Sequence, residues 1–71
     1  MNEEYLRALT KLTKVASVKV LEATIEYLVH GGNQTVIGQK HGVEQPSIAR
    51  LAKRLTELDE QIQELQKLRD K

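Results

Sequence analysis

From Pro46 to the end of the chain there is no glycine and no further proline, and apolar residues recur at steps of three and four. Such a run predicts a helix from Pro46 to Arg69, about 23 residues and, at roughly 1.5 Å each, about 35 Å long. Pro46 suits the first turn, where its missing N–H has no helical partner anyway. A chain of 71 residues makes one domain at most, and so small a domain does not cover a helix of that length. The C-terminal half must project or find a partner.

The rest of the chain also reads as helical. Tyr5, Leu6, Leu9, Leu12 and Ala16 are spaced for a first helix over Asn2 to Lys14. Ser17 is a suitable N-cap for a second helix, Val18 to His30, with Val18, Leu21, Ile25, Leu28 and Val29 on its apolar side. Gly31-Gly32 ends it, and His30 sits in the last turn, where an imidazole suits the helix dipole. Asn33 caps a short third helix, Gln34 to His41, which Gly42 stops. The expected fold is all-α: one domain over 1–71 with four helices, a helix-turn-helix core at 34–53 and an oligomerisation helix at 55–69.

Cysteine is absent, and the only histidines, His30 and His41, have no ligand-like spacing around them. Disulfides and thiolate metal sites are excluded, so a second copy of the chain is the natural extra source of stability at this size. The segment Met1-Asn2-Glu3-Glu4 has no apolar run, and no stretch approaches the roughly 18 apolar residues of a membrane span. A cytoplasmic, nucleoid-associated location follows as the expectation. No Ser–His–Asp or Cys–His set, glycine-rich phosphate loop or carboxylate cluster suggests an enzyme, and no cofactor is implied. His30 reads as a helix-end residue and His41 as a half-buried one between helices. Net charge is only +1, but it is unevenly spread. Residues 1–55 hold eight Lys/Arg against five Glu, a balance of +3, and residues 56–71 hold three against five, a balance of −2.

The informative stretch is Gln34 to Lys53, QTVIGQKHGVEQPSIARLAK. Two helices crossing steeply about a tight turn need a small residue where they touch, and Gly38 supplies it. The turn needs a residue tolerant of positive φ four positions later, and Gly42 is there. Ile37, Val43, Ile48 and Leu51 stand where apolar side chains must plug the angle. This spacing points to a DNA-binding helix-turn-helix whose second helix enters the major groove. With Ile48 and Leu51 turned inward, the outward residues are Glu44, Gln45, Pro46, Ser47, Ala49, Arg50 and Lys53. Gln45 has the amide for bidentate bonding to adenine and Arg50 the fork that matches guanine. Ala49 lets the helix approach a thymine methyl. Lys40, Lys53 and Arg54 are candidates for phosphate contacts, as is Gln34 from the N-terminus of its helix.

At Tyr27-Leu28-Val29-His30-Gly31, and again at His41-Gly42-Val43, the chain resembles the PapB-type regulators of fimbrial adhesin operons in enteric bacteria. The resemblance spans about Ser17 to Leu55. It implies binding to operon control regions, often as oligomers, and it accommodates His41 before the turn glycine. The segment Glu44-Gln45-Pro46-Ser47 departs from that family's reading segment, so no target sequence is carried over. With Val43 and Ile48 it is closer to the Gly-Val-x-Gln-x-x-Ile pattern of Cro-like and TrfB/KorA-like plasmid or phage repressors.

Beyond the motif, Leu51, Leu55, Leu58, Ile62 and Leu65 alternate steps of four and three, with Leu68 near the end. This is a short coiled-coil stripe, expected to form a parallel homodimer with Ile62 at a and Leu65 at d. Arg54 at g would then pair with Asp59 of the other copy. Packing of the stripe on Tyr5, Leu6, Leu9 and Leu12 of the same chain is the alternative. The expected partners are double-stranded DNA and self, with no membrane. The rival function is a helical protein–protein module, antitoxin- or adaptor-like, that uses the leucine stripe alone.

Overall fold

A computed structural model describes residues 2–14 and 17–70, and those residues form four helices and no strand. They are α1 (Glu3–Thr10), α2 (Val18–His30), α3 (Gln34–His41) and α4 (Gln45–Arg69). The first three open on polar N-caps. Asn2 accepts from the N–H of Tyr5, Ser17 from that of Val20, and Asn33 from those of Thr35 and Val36. Helix α4 instead opens on Glu44, which makes no side-chain cap bond, and its first turn is set by Pro46.

Helix α1 is shorter than its apolar spacing predicts. After Thr10 the N–H groups of Lys11, Leu12 and Thr13 turn to the carbonyls three residues back. The hydroxyls of Thr10 and Thr13 donate to the carbonyls of Arg7 and Thr10, at 2.6 and 3.2 Å. Threonine hydroxyls compete for carbonyls and the last turn tightens, so the helix unwinds before Lys14. Leu12 therefore falls outside α1 and is exposed, and Val18, in the first turn of α2, is exposed as well. Ala16, expected on the apolar stripe of the first helix, lies outside the described residues.

Two apolar clusters hold the helices together. The larger joins Leu6, Leu9, Ile25 and Leu55, with Leu21, Leu28, Leu51, Leu58 and Ile62 among the half-buried side chains around it. The smaller joins Ala23, Ile37 and Ile48, with Tyr27 and Val43 against it. Three of the expected plugs, Ile37, Val43 and Ile48, share this second cluster, while Leu51 belongs to the first. Thr24 is fully buried in α2, and its hydroxyl donates to the carbonyl of Val20 at 2.7 Å, so no polar atom is left unpaired there.

The stripe on α4 faces its own chain over most of its length. Leu55 is 0% exposed, packed with Leu6, Leu9 and Ile25, so it is not the interchain contact expected of it. Leu58 and Ile62 pack on the same cluster and are half-buried. Asp59, expected to meet Arg54 of another copy, accepts from the Tyr5 hydroxyl at 2.5 Å. The short α1 thus takes up the seam that a second chain was expected to fill. Only Leu65 and Leu68 remain open, at 65% and 63% exposure. With 25 residues, α4 runs along most of the 45 Å long axis of the molecule, and its last turns extend past the core.

Candidate nucleic-acid interface

The connection between α3 and α4 fixes where the first turns of α4 point. Gly42 adopts φ 72° and ψ 33°, a left-handed conformation that costs glycine nothing. Its N–H donates to the Gln39 carbonyl, and the N–H of Val43 donates to that of Gly38 at 2.8 Å. These are the paired bonds of a Schellman C-cap, and they satisfy carbonyls that the end of α3 would leave free. Gly38 then lies under the turn: a Cβ there would stand 2.6 Å from the carbonyl oxygen of Val43. The expectation of a positive φ at Gly42 holds, whereas the close atom at Gly38 is the carbonyl oxygen of the turn, with Ile48 of the crossing helix further off at 3.5 Å.

This turn carries the N-termini of α3 and α4 close to each other. The side-chain amide of Gln45 donates to the side-chain oxygen of Gln34. Both residues are half-buried, as are Ser47 and Ala49, while Glu44, Pro46, Arg50, Lys53 and Arg54 are exposed. Ile48, Ala52 and Leu55 take the opposite, inward face of α4. Arg50, Lys53 and Arg54 therefore share the side of α4 that the core leaves free, and Gln45, Ser47 and Ala49 border it, half-buried.

Charge is distributed unequally over the surface. From Tyr27 to Thr56 the only carboxylate is Glu44, against Lys40, Arg50, Lys53 and Arg54. The carboxylates of α2 are engaged elsewhere. Glu22 takes a two-pronged bond from Arg7, at 2.9 and 3.1 Å, and Glu26 meets both Lys40 at 2.9 Å and His41 at 3.3 Å. The guanidinium holds Glu22 below the usual carboxylate range. The ammonium of Lys40, then the imidazole of His41, do the same for Glu26. Among the described residues, Arg50, Lys53 and Arg54 have no ion-pair partner.

Two placements were not legible in the sequence. Lys40 is drawn to α2 by Glu26 instead of standing free beside the turn. Lys14, in contrast, joins Ser17, Val20, Arg50, Leu51 and Arg54 around an open groove of about 430 Å³. Neither follows from local spacing, because each depends on which faces α2 presents to its neighbours. The C-terminal half of α4 has the opposite character, with Glu57, Glu60 and Glu64 along a polar flank. None of the described helices is long and apolar enough to cross a membrane. No family model, no curated protein and no solved structure matches the chain.

Proposed function

We propose that this chain is a sequence-specific double-stranded DNA-binding transcription regulator of bacterial type, in which α3, the glycine turn and α4 act as a helix-turn-helix. The observation that carries the reading is the exposed set Arg50, Lys53 and Arg54 on α4, without an ion-pair partner among the described residues and directly beyond the turn that precedes Gln45. A reading helix needs its cations free, since each phosphate contact releases a condensed counterion and adds affinity.

The Gln34–Gln45 bond gives the reading its specific chemistry. Gln45 uses one amide hydrogen on Gln34. Its other hydrogen and its carbonyl oxygen are left to donate to N7 and accept from the N6 amine of an adenine. Holding one rotamer before DNA arrives reduces the ordering cost of binding. Arg50, about one and a half helical turns further on, has the donors for guanine O6 and N7, and Lys53 and Arg54 those for phosphate. Lys40 has first to leave Glu26 before it contacts a phosphate. The resemblance to PapB-type regulators adds the expectation that the target lies in an adhesin operon control region, and the Cro-like pattern at Gly42 to Ile48 adds a plasmid or phage operator as the other candidate.

A specific observation also favours the interaction-module reading, because Leu65 and Leu68 are exposed at the projecting end of α4. One experiment separates the two: fluorescence anisotropy of a labelled duplex titrated with the protein at low salt. The DNA reading expects saturable binding that Arg50→Ala weakens. A module that works through its leucines alone leaves the duplex unbound.

A further inference from the structure

One side of α4 carries a strip that the core covers only in part: Leu51 and Leu58 are half-buried against it, and Leu65 and Leu68 are open. Leu51, Leu58 and Leu65 recur along it at seven-residue spacing, followed three residues later by Arg54, Gln61 and Leu68. Shallow grooves mark it from end to end. The first lies beside Arg50, Leu51 and Arg54, the next beside Arg54, Glu57 and Leu58, and the last beside Glu64, Leu65 and Leu68. Leu55 is fully buried in the larger apolar cluster and Ile62 packs against it, so the seam expected for a parallel coil is not the part of α4 left open. The strip's apolar character is greatest at the free end of the helix, where Leu65 and Leu68 are about two-thirds exposed.

Charge along the strip decides which occupant fits. Arg50, Glu57 and Glu64 also repeat at seven-residue spacing and lie on one flank of it. The helix is therefore positive at one end of this flank and negative at the other. Two copies laid parallel would set Arg50 beside Arg50 and Glu64 beside Glu64. Laid antiparallel, Arg50 of each copy meets Glu64 of the other, and the helix dipoles oppose favourably as well. The two-fold axis then passes near Glu57, which faces its own counterpart. Arg54, about one turn away, offsets that repulsion in part. A strip on a single helix buries an area at the low end for stable dimers, so the association is a reversible one.

We propose that two copies of this chain pair through this strip with their α4 helices antiparallel, Arg50 of each against Glu64 of the other, and that pairing withholds α4 from DNA. The pairing stands on the charge and apolar pattern alone. The exclusion of DNA rests on the function proposed above, since Arg50 and Arg54 serve in both contacts.

Sedimentation equilibrium of the full chain at about 10 to 300 µM and low salt tests the pairing. The wild type is expected to be a reversible dimer. Arg50→Glu and Glu64→Arg are each expected to weaken it at least tenfold, and the double variant to restore most of the loss. All these positions are exposed, and far-ultraviolet circular dichroism checks that each variant keeps its helices. A monomer throughout, a dimer indifferent to Glu64→Arg, or a double variant that stays monomeric overturns the pairing. For the exclusion, a duplex of about 12 base pairs is added in equal amount and stoichiometry is read by native mass spectrometry. One-to-one complexes replacing the dimer support it. A two-to-one complex that Leu65→Asp reduces to one-to-one overturns the exclusion. A wild-type dimer that ignores the duplex while monomeric Leu65→Asp binds it also supports the exclusion; no binding by either overturns the exclusion and the DNA reading together, and leaves the pairing decided by sedimentation.

Discussion

The carbonyl oxygen of Val43 lies 2.6 Å from the place a Cβ on residue 38 would occupy. Helix propensity alone predicts that Gly38→Ala stabilises α3 by about 0.5–1 kcal/mol. The contact reverses that sign, because the obstructing atom is backbone and is held by the turn. Gly38→Ala is expected to destabilise the protein by about 1–3 kcal/mol in urea unfolding. Gly42→Ala, which meets no neighbour but keeps φ at +72°, is expected to cost about 1–2 kcal/mol through backbone strain alone. An unchanged midpoint for Gly38→Ala would mean that the α3–α4 turn is looser than described.

Leu55 and Leu65 test which part of α4 belongs to the core. Leu55 is 0% exposed and Leu65 is 65% exposed, ten residues further along the same helix. Leu55→Ala is expected to lose about 2–5 kcal/mol. Leu65→Ala should stay within about 0.5 kcal/mol at concentrations where the chain is monomeric. Comparable losses at the two positions would contradict the end of the core at Ile62.

The paired carboxylates of α2 set an acid limit on stability. Glu22 and Glu26 are held below the ordinary carboxylate range in the folded chain, by Arg7 and by Lys40 with His41 respectively. A lowered folded value means that their contribution is present above the ordinary range and is lost as pH falls through the folded value. Thermal midpoints should therefore drop between about pH 5 and pH 2, and Glu26→Gln should flatten that drop. The Tyr5 hydroxyl has the opposite linkage. Its bond to Asp59 raises it above its ordinary value, so its contribution is complete below about pH 10 and lost above. Tyr5→Phe should abolish that alkaline component. A midpoint flat across the acid range would remove the ion pairs from the account.

Much of the architecture was legible in local chemistry. The caps at Ser17 and Asn33, the stop at Gly42 and the inward face of Ile48 each depend on residues within about one turn, and spacing captures such effects. The candidate reading face was legible for the same reason, since it is what remains of α4 once Ile48 points inward. What spacing could not show is which neighbour claims an apolar or charged side chain. Leu55 suited a partner chain as well as it suits Leu6 and Leu9, and heptad pattern alone cannot choose between them. Lys40 was equally suited to a phosphate and to Glu26, and only the crossing of α2 with α3 assigns it. The end of α1 at Thr10 turned on hydroxyl competition that the apolar stripe conceals.

Within the DNA reading, the two kinds of contact should separate by variant. Gln45→Ala and Arg50→Ala are each expected to reduce specific binding by about 1–3 kcal/mol and to relax base preference at different positions. Lys53→Ala should weaken all sequences alike and flatten the salt dependence. Gln34→Ala should act through Gln45, lowering adenine preference with little effect on the salt dependence. Sequence preference that survives Arg50→Ala would show that α4 is oriented differently in the groove.

Arg50, Lys53 and Arg54, which have no ion-pair partner among the described residues, are proposed to meet a phosphate backbone, and the salt dependence of duplex binding reports that contact. Anisotropy of a labelled 20-base-pair duplex is measured at about 50 and about 200 mM salt, with the protein below its pairing range. A single chain making about three phosphate contacts should lose on the order of fortyfold in affinity between the two conditions. Absence of binding at 50 mM, or binding that salt leaves unchanged, would rule out α4 as a DNA-binding helix.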